Sequence, residues 1–550
     1  MFRGWWTEDG SSGGGWGDRY EFSASVTANL TLYARWEDKP KTPLPQWTST
    51  LVSGAAAQFN AVEVGPDGSI YAVGQITGND IYNFGNGVTI SGTSSSQNPV
   101  IVKYSSAGEA VWARSITGGS GSTWFNDLAI VGDNIYVVGI QTGTTAINYG
   151  SATATGVSSN HNPVIVKYFD NGVSATHVWA RTLSSGASSG VTRFNGVAAR
   201  QNGTSIDIYA VGSQRPNSSQ NYHDDVTIYT SRTSYDSPII VKYTDSAPDP
   251  EDDPTVGTDS IVKTVWGRSI FTSDTAGSGA TATNNSYWDA QFHAVTLDNS
   301  GNIYVAGRQD GYNDNSNQVW FYYGDNTPGI RGLSDTWNGI VVSYEDLGSN
   351  VRTRWANVYD TTIRNTTMFY SIAVSGDHVY AGGSIFNGNN GGTSNNDLEG
   401  TAHRPLLARF DATTGSRTAS LIPDLGTNNN LKAEHNIRGL AVGSDGSVYA
   451  AGAQWAKVVH PFGSTSIAGP SGDSNSVLYK FNASLTLLDH WIMTTPNNGR
   501  ARLLGVAIDR SGTDDIVYSV GFQNGTGTFD HGNGVSKIGT AGDNAVIVRY

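Results

Sequence analysis

One phrase occurs seven times in this chain, so the fold has to use the same unit seven times over. Residues 59–76 read FNAVEVGPDGSIYAVGQI, and the phrase returns at 125–140, 194–213, 292–308, 369–384, 437–453 and 503–522. Its tyrosines (Tyr71, Tyr136, Tyr209, Tyr304, Tyr380, Tyr449 and Tyr518) stand roughly 65 to 95 residues apart. A second phrase follows each copy: NPVIVKY at 98–104 and 162–168, SPIIVKY at 237–243, NGIVVSY at 338–344, RPLLARF at 404–410, NSVLYKF at 475–481 and NAVIVRY at 544–550. A third, built on Trp, follows most of these: VWARSI at 111–116, VWARTL at 178–183, VWGRSI at 265–270 and RWANVY at 354–359, with weaker equivalents near 417–422 and 490–494. Each phrase is apolar in alternation or in short runs, rich in Val, Ile and Tyr, and bounded by Gly, Asn, Asp or Ser. That is strand patterning. DGSIY and GDNIY read as hairpin turns in which Gly or Asn takes the positive φ.

Four antiparallel strands per unit, seven times, predict an all-β chain folded as a seven-bladed β-propeller. The units exceed the ~40–50 residues of compact propeller repeats. The excess falls between the second and third strands, in Gly-rich inserts such as 81–97. The seventh unit stops at Tyr550 without its Trp strand, while PQWTSTLVSG at 45–54 precedes the first unit, and its Trp47 matches Trp112, Trp179, Trp266 and Trp355. The chain is therefore expected to close its ring by adding the strand at Trp47 beside Tyr550, which removes a free sheet edge. The expected domains are a small β module over 1–36, a Pro/Lys-rich linker over 37–44 and the propeller over 45–550.

The phrases resemble the bacterial SBBP-type propeller repeat. The carrying residues are the seven strand-pair phrases, Phe84-Gly85, Tyr149-Gly150, Phe462-Gly463 and the PVIVKY series. One departure is Asn rather than Asp before the third strand, at Asn98, Asn162, Asn338 and Asn544. Residues 2–36 resemble the second half of a Listeria–Bacteroides (internalin B-repeat type) module, carried by Gly4-Trp5-Trp6 and by Leu30-Thr31-Leu32-Tyr33-Ala34-Arg35-Trp36. Both resemblances imply a secreted or surface bacterial protein; the SBBP type implies a fold well and a reaction poorly. No apolar run after Met1 reads as an export signal, so the chain is expected to have lost one or never to have had it.

Composition narrows the chemistry. Of 550 residues, 33 are Lys or Arg and 47 Asp or Glu, a net charge of −14, which argues against a general nucleic-acid binder. No apolar window is long enough to span a membrane. With no Cys, thiolate metal sites and Cys nucleophiles are excluded. Ten His form no metal-binding spacing, although five of them (His161, His223, His403, His460 and His531) fall in or near the inserts, where a ring of His on one face is conceivable. Asp67, Asp133, Asp298, Asp377, Asp445 and Asp509 sit in the first hairpins and read as turn formers rather than calcium ligands. The acidic insert 245–259 reads as a solvated loop that could attract a divalent cation.

Trp124, Trp288, Trp320, Trp337 and Trp455 lie outside the recurring Trp register and are the candidate ligand or partner contacts, able to stack on sugar rings. No catalytic, cofactor-binding or metal-binding residue is singled out, and no cofactor is expected. The expected function is accordingly a non-enzymatic extracellular or cell-surface structural or adhesive protein, whose propeller contacts other surface proteins or copies of itself. The alternatives are a lectin-like glycan-binding propeller and a polysaccharide-active enzyme with its site in the central channel.

Overall fold

In the computed structural model, seven four-stranded antiparallel sheets follow one another along the chain, and no helix occurs among the described residues. Those residues are 2–7, 20, 30–36, 44–215, 217–231, 235–246, 261–273, 289–311, 320–324, 328–332, 336–359, 365–387, 403–423, 435–455, 459–462, 465–470, 473–496, 499–540 and 542–550. The chain divides into two units, Met1–Leu44 and Pro45–Tyr550. In the first, Phe2–Trp6 pairs antiparallel with Tyr33–Trp36. Nearly all of the expected linker lies outside the described residues. The second unit is the seven-bladed β-propeller.

Blade one shows the plan: Ala57–Val64, Ile70–Thr77, Gln97–Tyr104 and Ala110–Arg114 pair in that order, from the channel outward. Blade seven has Arg500–Asp509, Ile516–Asn524 and Asp543–Arg549 from the C-terminus, and its outermost strand is Trp47–Thr50. Trp47 stands opposite Arg549 and Thr50 opposite Val546, so the ring closes where the Trp register placed it. Five inserts between second and third strands carry small hairpins of their own, among them Ala146–Tyr149 with Ala152–Thr155.

The core is divided into seven large clusters, each shared by neighbouring blades, and a small one of Met493, Ala501 and Phe529. Tyr209, Val211 and Ile240 of blade three, for example, pack with Phe292, Val305 and Ile340 of blade four. The Asn that opens the third strand has a reason in this packing. Asn98 is fully buried; its Oδ1 accepts from the Thr93 and Ser94 amides while its Nδ2 donates to the carbonyls of Gly78 and Ser94. A carboxylate there would accept but could not donate, leaving two buried carbonyls facing a negative charge. The departure from Asp is thus a hydrogen-bonding requirement of the insert.

Adjacent blades are also tied by a recurring polar seam. The strand-two Tyr, strand-three Lys and strand-four Trp of one blade converge on an Asp at the end of the next blade's third strand. Asp170 accepts from Tyr71 (2.6 Å), Lys103 (2.5 Å) and Trp112 (3.0 Å). Asp346 accepts from Tyr209 (2.7 Å), Lys242 (2.6 Å) and Trp266 (3.2 Å). Asp245 accepts from Tyr136 (2.5 Å) and Lys167 (2.6 Å). In other blades a backbone carbonyl takes the Asp's place: Ala412 for Trp355, Ala483 for Arg409, and Ser106 for both Trp47 and Arg549 at the closure. The Trp register is therefore an inter-blade device. Lys167 and Asp245 are 6% and 3% exposed, and removing one partner strands a buried charge. Asp245→Ala is expected to cost about 3–5 kcal/mol in urea unfolding. Breaking the exposed Arg352–Glu345 pair by Arg352→Ala should cost under about 1 kcal/mol.

Candidate functional site

Every innermost strand carries one β-bulge at the same place, directly after its Phe, Ile or Leu. The register shifts between Phe59 and Ala61, Phe125 and Asp127, Phe194 and Gly196, Phe292 and Ala294, Phe369 and Ser371, Ile437 and Gly439, and Leu503 and Gly505. A bulge leaves one residue outside the ladder and re-aims its side chain. It also explains one glycine per blade. A Cβ on Gly139, opposite Phe125, would lie 2.0 Å from the Trp124 carbonyl, and the glycines of the other six blades are equally confined.

The seven bulged residues (Asn60, Asn126, Asn195, His293, Tyr370, Arg438 and Leu504) form a ring on the wall of the central channel, a cavity of about 800 Å³. Four of them latch one blade to the next. Asn60, Asn126 and Asn195 donate to the carbonyls of Phe125, Phe194 and Phe292 at 2.7, 2.7 and 2.8 Å. His293 Nδ1 lies 2.7 Å from the Phe369 carbonyl, which makes it the donor. Burial, then Arg308, push the His293 pKa down to about 3 against the pull of that bond, so the ring is neutral at pH 7. The latch stops there. Tyr370 instead stacks on His293 (5.6 Å between centroids), and the Arg438 guanidinium lies 3.8 Å over the Tyr370 ring.

Two further positions break the repeat. The residue after the bulge is small in six blades (Ala61, Gly196, Ala294, Ser371, Gly439 and Gly505), which lets inner strands approach: a Cβ on Gly439 would meet Gly505, and one on Gly505 would meet Ala61. In blade two it is Asp127, whose Oδ2 accepts the Val197 amide at 2.9 Å. Two residues further along, the other six blades have Ala or Thr, and blade one has Glu63. Both carboxyls line the channel. Loss of bulk water pushes Asp127 up to about 7 against the amides of Val197 and Leu128. Glu63 moves the same way, first because the channel walls replace bulk solvent, then through repulsion by Asp127, while Arg510 opposes the rise. Glu63 is open to the water of the channel, which moderates its rise relative to a sealed site. Repulsion by Asp127 thus adds to the rise at Glu63, while the rise at Asp127 comes from desolvation. Arg438, Arg502 and Arg510 line the same channel.

The expected contact residues lie elsewhere. Trp124, Trp320, Trp337 and Trp455 are half-buried, and none lines the channel. Trp124 meets His161 edge-on, Trp320 and Trp337 stack with Arg331 and Arg308, and the Trp455 amide donates to His435. Trp288 and most of the acidic insert 245–259 lie outside the described residues. The insert histidines fall on different blades; His460 packs against His435 at 4.2 Å, and His403 is close enough to His435 to act on its charge. The hairpin aspartates do turn work: Asp67, Asp298, Asp445 and Asp509 each accept the amide two residues on. Glu63 and Asp127, which line the channel, were not among the residues the sequence singled out, because neither belongs to a local motif.

No protein-family model and no curated protein matches the chain, so neither the SBBP-type nor the Listeria–Bacteroides resemblance is supported by a match; what stands is the seven-bladed propeller. Among solved structures, it is similar to Trypanosoma rangeli sialidase in complex with the inhibitor DANA (10% identity, 78% of this chain and 55% of that one, TM-score 0.35). It is similar also to the quinohemoprotein alcohol dehydrogenase of Comamonas testosteroni (9%, 94% and 78%, 0.38) and the NanB sialidase of Streptococcus pneumoniae (9%, 92% and 69%, 0.34). The chain thus spans about half the length of the Trypanosoma protein. The expectation of a non-enzymatic structural or adhesive protein is not upheld by these comparisons, in which the similar propellers are named as sialidases and a dehydrogenase. At such identities the likeness shows the fold alone and determines no activity.

Proposed function

We propose that the protein works through its central channel, as an acid–base site that takes in a small polar molecule and exchanges a proton with it. The observation that carries this reading is the pair Glu63 and Asp127. The other blades keep small residues in those two columns, and carboxyls there add desolvation and repulsion that the single inter-blade bond from the Val197 amide to Asp127 only partly offsets. Two carboxyls on one lumen, both raised towards neutrality, can each hold or give up a proton there, the requirement of general acid–base chemistry. The latch of Asn60, Asn126, Asn195 and His293 holds the wall rigid on that side. A cavity of about 800 Å³ suits a metabolite-sized molecule.

The test is a thermal-shift screen of organic acids, amino acids, sugars and nucleosides, followed by calorimetry of any binder in two buffers of different ionisation enthalpy. Binding should be accompanied by uptake or release of a proton in the native protein, and that coupling should vanish in Glu63→Gln and Asp127→Asn. Binders whose proton coupling survives both substitutions would overturn the reading. The repeat phrases and the ending of residues 2–36 support, as part of the same proposal, a secreted or surface bacterial protein of SBBP type. Fractionation of cells expressing the chain behind an export signal, with function required outside the cell, tests that placement.

A further inference from the structure

The channel wall opposite the latch has a chemistry of its own, and the role inferred for it rests on the channel being the functional site. The bulge ring loses its hydrogen-bonded pattern at blades five, six and seven, where Tyr370, Arg438 and Leu504 replace the Asn and His of the other blades. Among the described residues no carboxylate pairs with Arg438; its guanidinium carbon lies 3.8 Å from the Tyr370 ring centre. Stacking covers one face of the guanidinium and leaves its N–H donors, which lie in the plane, free to fork onto two oxygens of a ligand. The Tyr370 ring is itself backed by His293, neutral and anchored to Phe369, so the platform under Arg438 is rigid.

Charge points the same way. The channel carries Arg438, Arg502 and Arg510 against Glu63 and Asp127, whereas the chain as a whole carries −14. A positive channel through an acidic protein focuses small anions where the outer surface repels them. Arg510 is engaged by the Val442 carbonyl and faces Glu63, which places it at the acid–base pair rather than at the platform. Arg438, stacked on Tyr370 and with no carboxylate partner among the described residues, has donors to spare.

We infer that Arg438, stacked on Tyr370, is the seat of an oxyanion, a carboxylate or phosphate group carried by the molecule that the channel takes in. Such a seat would orient the ligand so that its neutral part reaches across the lumen to Glu63 and Asp127. The experiment is calorimetric titration of the full chain with citrate, with inorganic phosphate and, as a neutral control, with glycerol. One of the two oxyanions should bind, glycerol should not, and affinity should fall with added salt. Arg438→Gln should weaken binding at least about tenfold, the loss of one charge-assisted bidentate contact. Arg352→Gln, at an exposed ion pair, should leave it unchanged and shows that the effect is not one of net charge. Tyr370→Leu, which removes the platform but not the charge, should give an intermediate loss, and circular dichroism checks that each variant is folded. Binding of neither oxyanion, or equal binding by Arg438→Gln, overturns the inference. If oxyanions bind through Arg438 but Glu63→Gln and Asp127→Asn leave the proton coupling intact, the acid–base reading fails while the seat stands. If the coupling behaves as expected with no oxyanion bound, the converse holds.

Discussion

Removing residues 45–54 is expected to open the ring and take away the protein's cooperative unfolding transition. The segment supplies the outermost strand of blade seven, paired from Trp47 opposite Arg549 to Thr50 opposite Val546. Leu51 is 3% exposed, which makes its burial worth about 2–3 kcal/mol. The Thr48 and Thr50 hydroxyls donate to the carbonyls of Ile547 and Ala545, at about 1 kcal/mol each. Trp47 Nε1 reaches Ser106 of blade one at 3.1 Å, and the Trp47 ring packs on Tyr518. The loss is on the order of 5 kcal/mol, a large part of a typical domain's stability. It also exposes the edge of Asp543–Arg549, a template for pairing with another chain. Size-exclusion chromatography and calorimetric melting of the chain starting at residue 55 should show aggregates and a broadened, lowered transition. Adding the peptide 45–54 in trans should restore part of it. A monomer with an unchanged melting temperature would contradict the closure.

Acid is expected to weaken the fold well before the seam carboxylates titrate. Burial pushes His460 and His531 down to about 4, with Asp530 pulling His531 up and Lys537 pushing it down. His435 lies well below its ordinary value, through burial and then the neighbouring His460 and His403. Unfolded histidine takes up its proton near pH 6.5, whereas folded His460 and His531 refuse it until about pH 4. Their contribution is therefore complete above pH 6.5 and falls as the pH drops from there towards 4. The slope is about 1.4 kcal/mol per pH unit for each histidine, roughly 3 kcal/mol each over the interval. The seam carboxylates act elsewhere. Burial raises Asp170 and Asp346, but their hydrogen bonds from Lys103 and Tyr71, and from Lys242 and Tyr209, outweigh it and hold both below the usual carboxylate value. Their contribution is lost only as pH falls through those lowered values, below about 4. Urea unfolding between pH 7.5 and 4.5 should show a steep fall, flattened in His460→Phe, whose ring nitrogens find no partner among the described residues. Equal slopes in the native and His460→Phe proteins would contradict this origin.

The ring was legible because its signal repeats. Seven Tyr-Gly phrases, the PVIVKY series and the Trp register each recur, and Trp47 without a unit of its own fixed the closure. The seam was half legible: the Trp column pointed to inter-blade packing, but its acceptor is Asp in only part of the blades and a carbonyl such as Ala412 or Ser106 elsewhere, which a column of letters does not reveal. The channel was hidden for a different reason. Asp127 and Glu63 lie on separate blades with ordinary strand residues on either side, and only ring closure brings their walls to one lumen. Their signal was a departure from the repeat, a carboxyl where the other copies keep Ala, Gly, Ser or Thr. Symmetry-breaking positions, rather than local motifs, were the place to look. The described Trp residues outside the register lie away from the channel and pack with Arg and His neighbours, as Trp337 does with Arg308.

The protonation of Glu63 and Asp127 in the resting protein tests the central claim most directly. Difference infrared spectroscopy of the full chain, titrated from pH 5 to 8.5, distinguishes a carboxylic acid from a carboxylate. A protonated carboxyl should persist up to about pH 7 and vanish above it; Asp127→Asn should lower the Glu63 value by removing the repulsion, whereas Glu63→Gln should leave Asp127 raised by its desolvation. Complete ionisation of every carboxyl by pH 5 in the native protein would contradict the account.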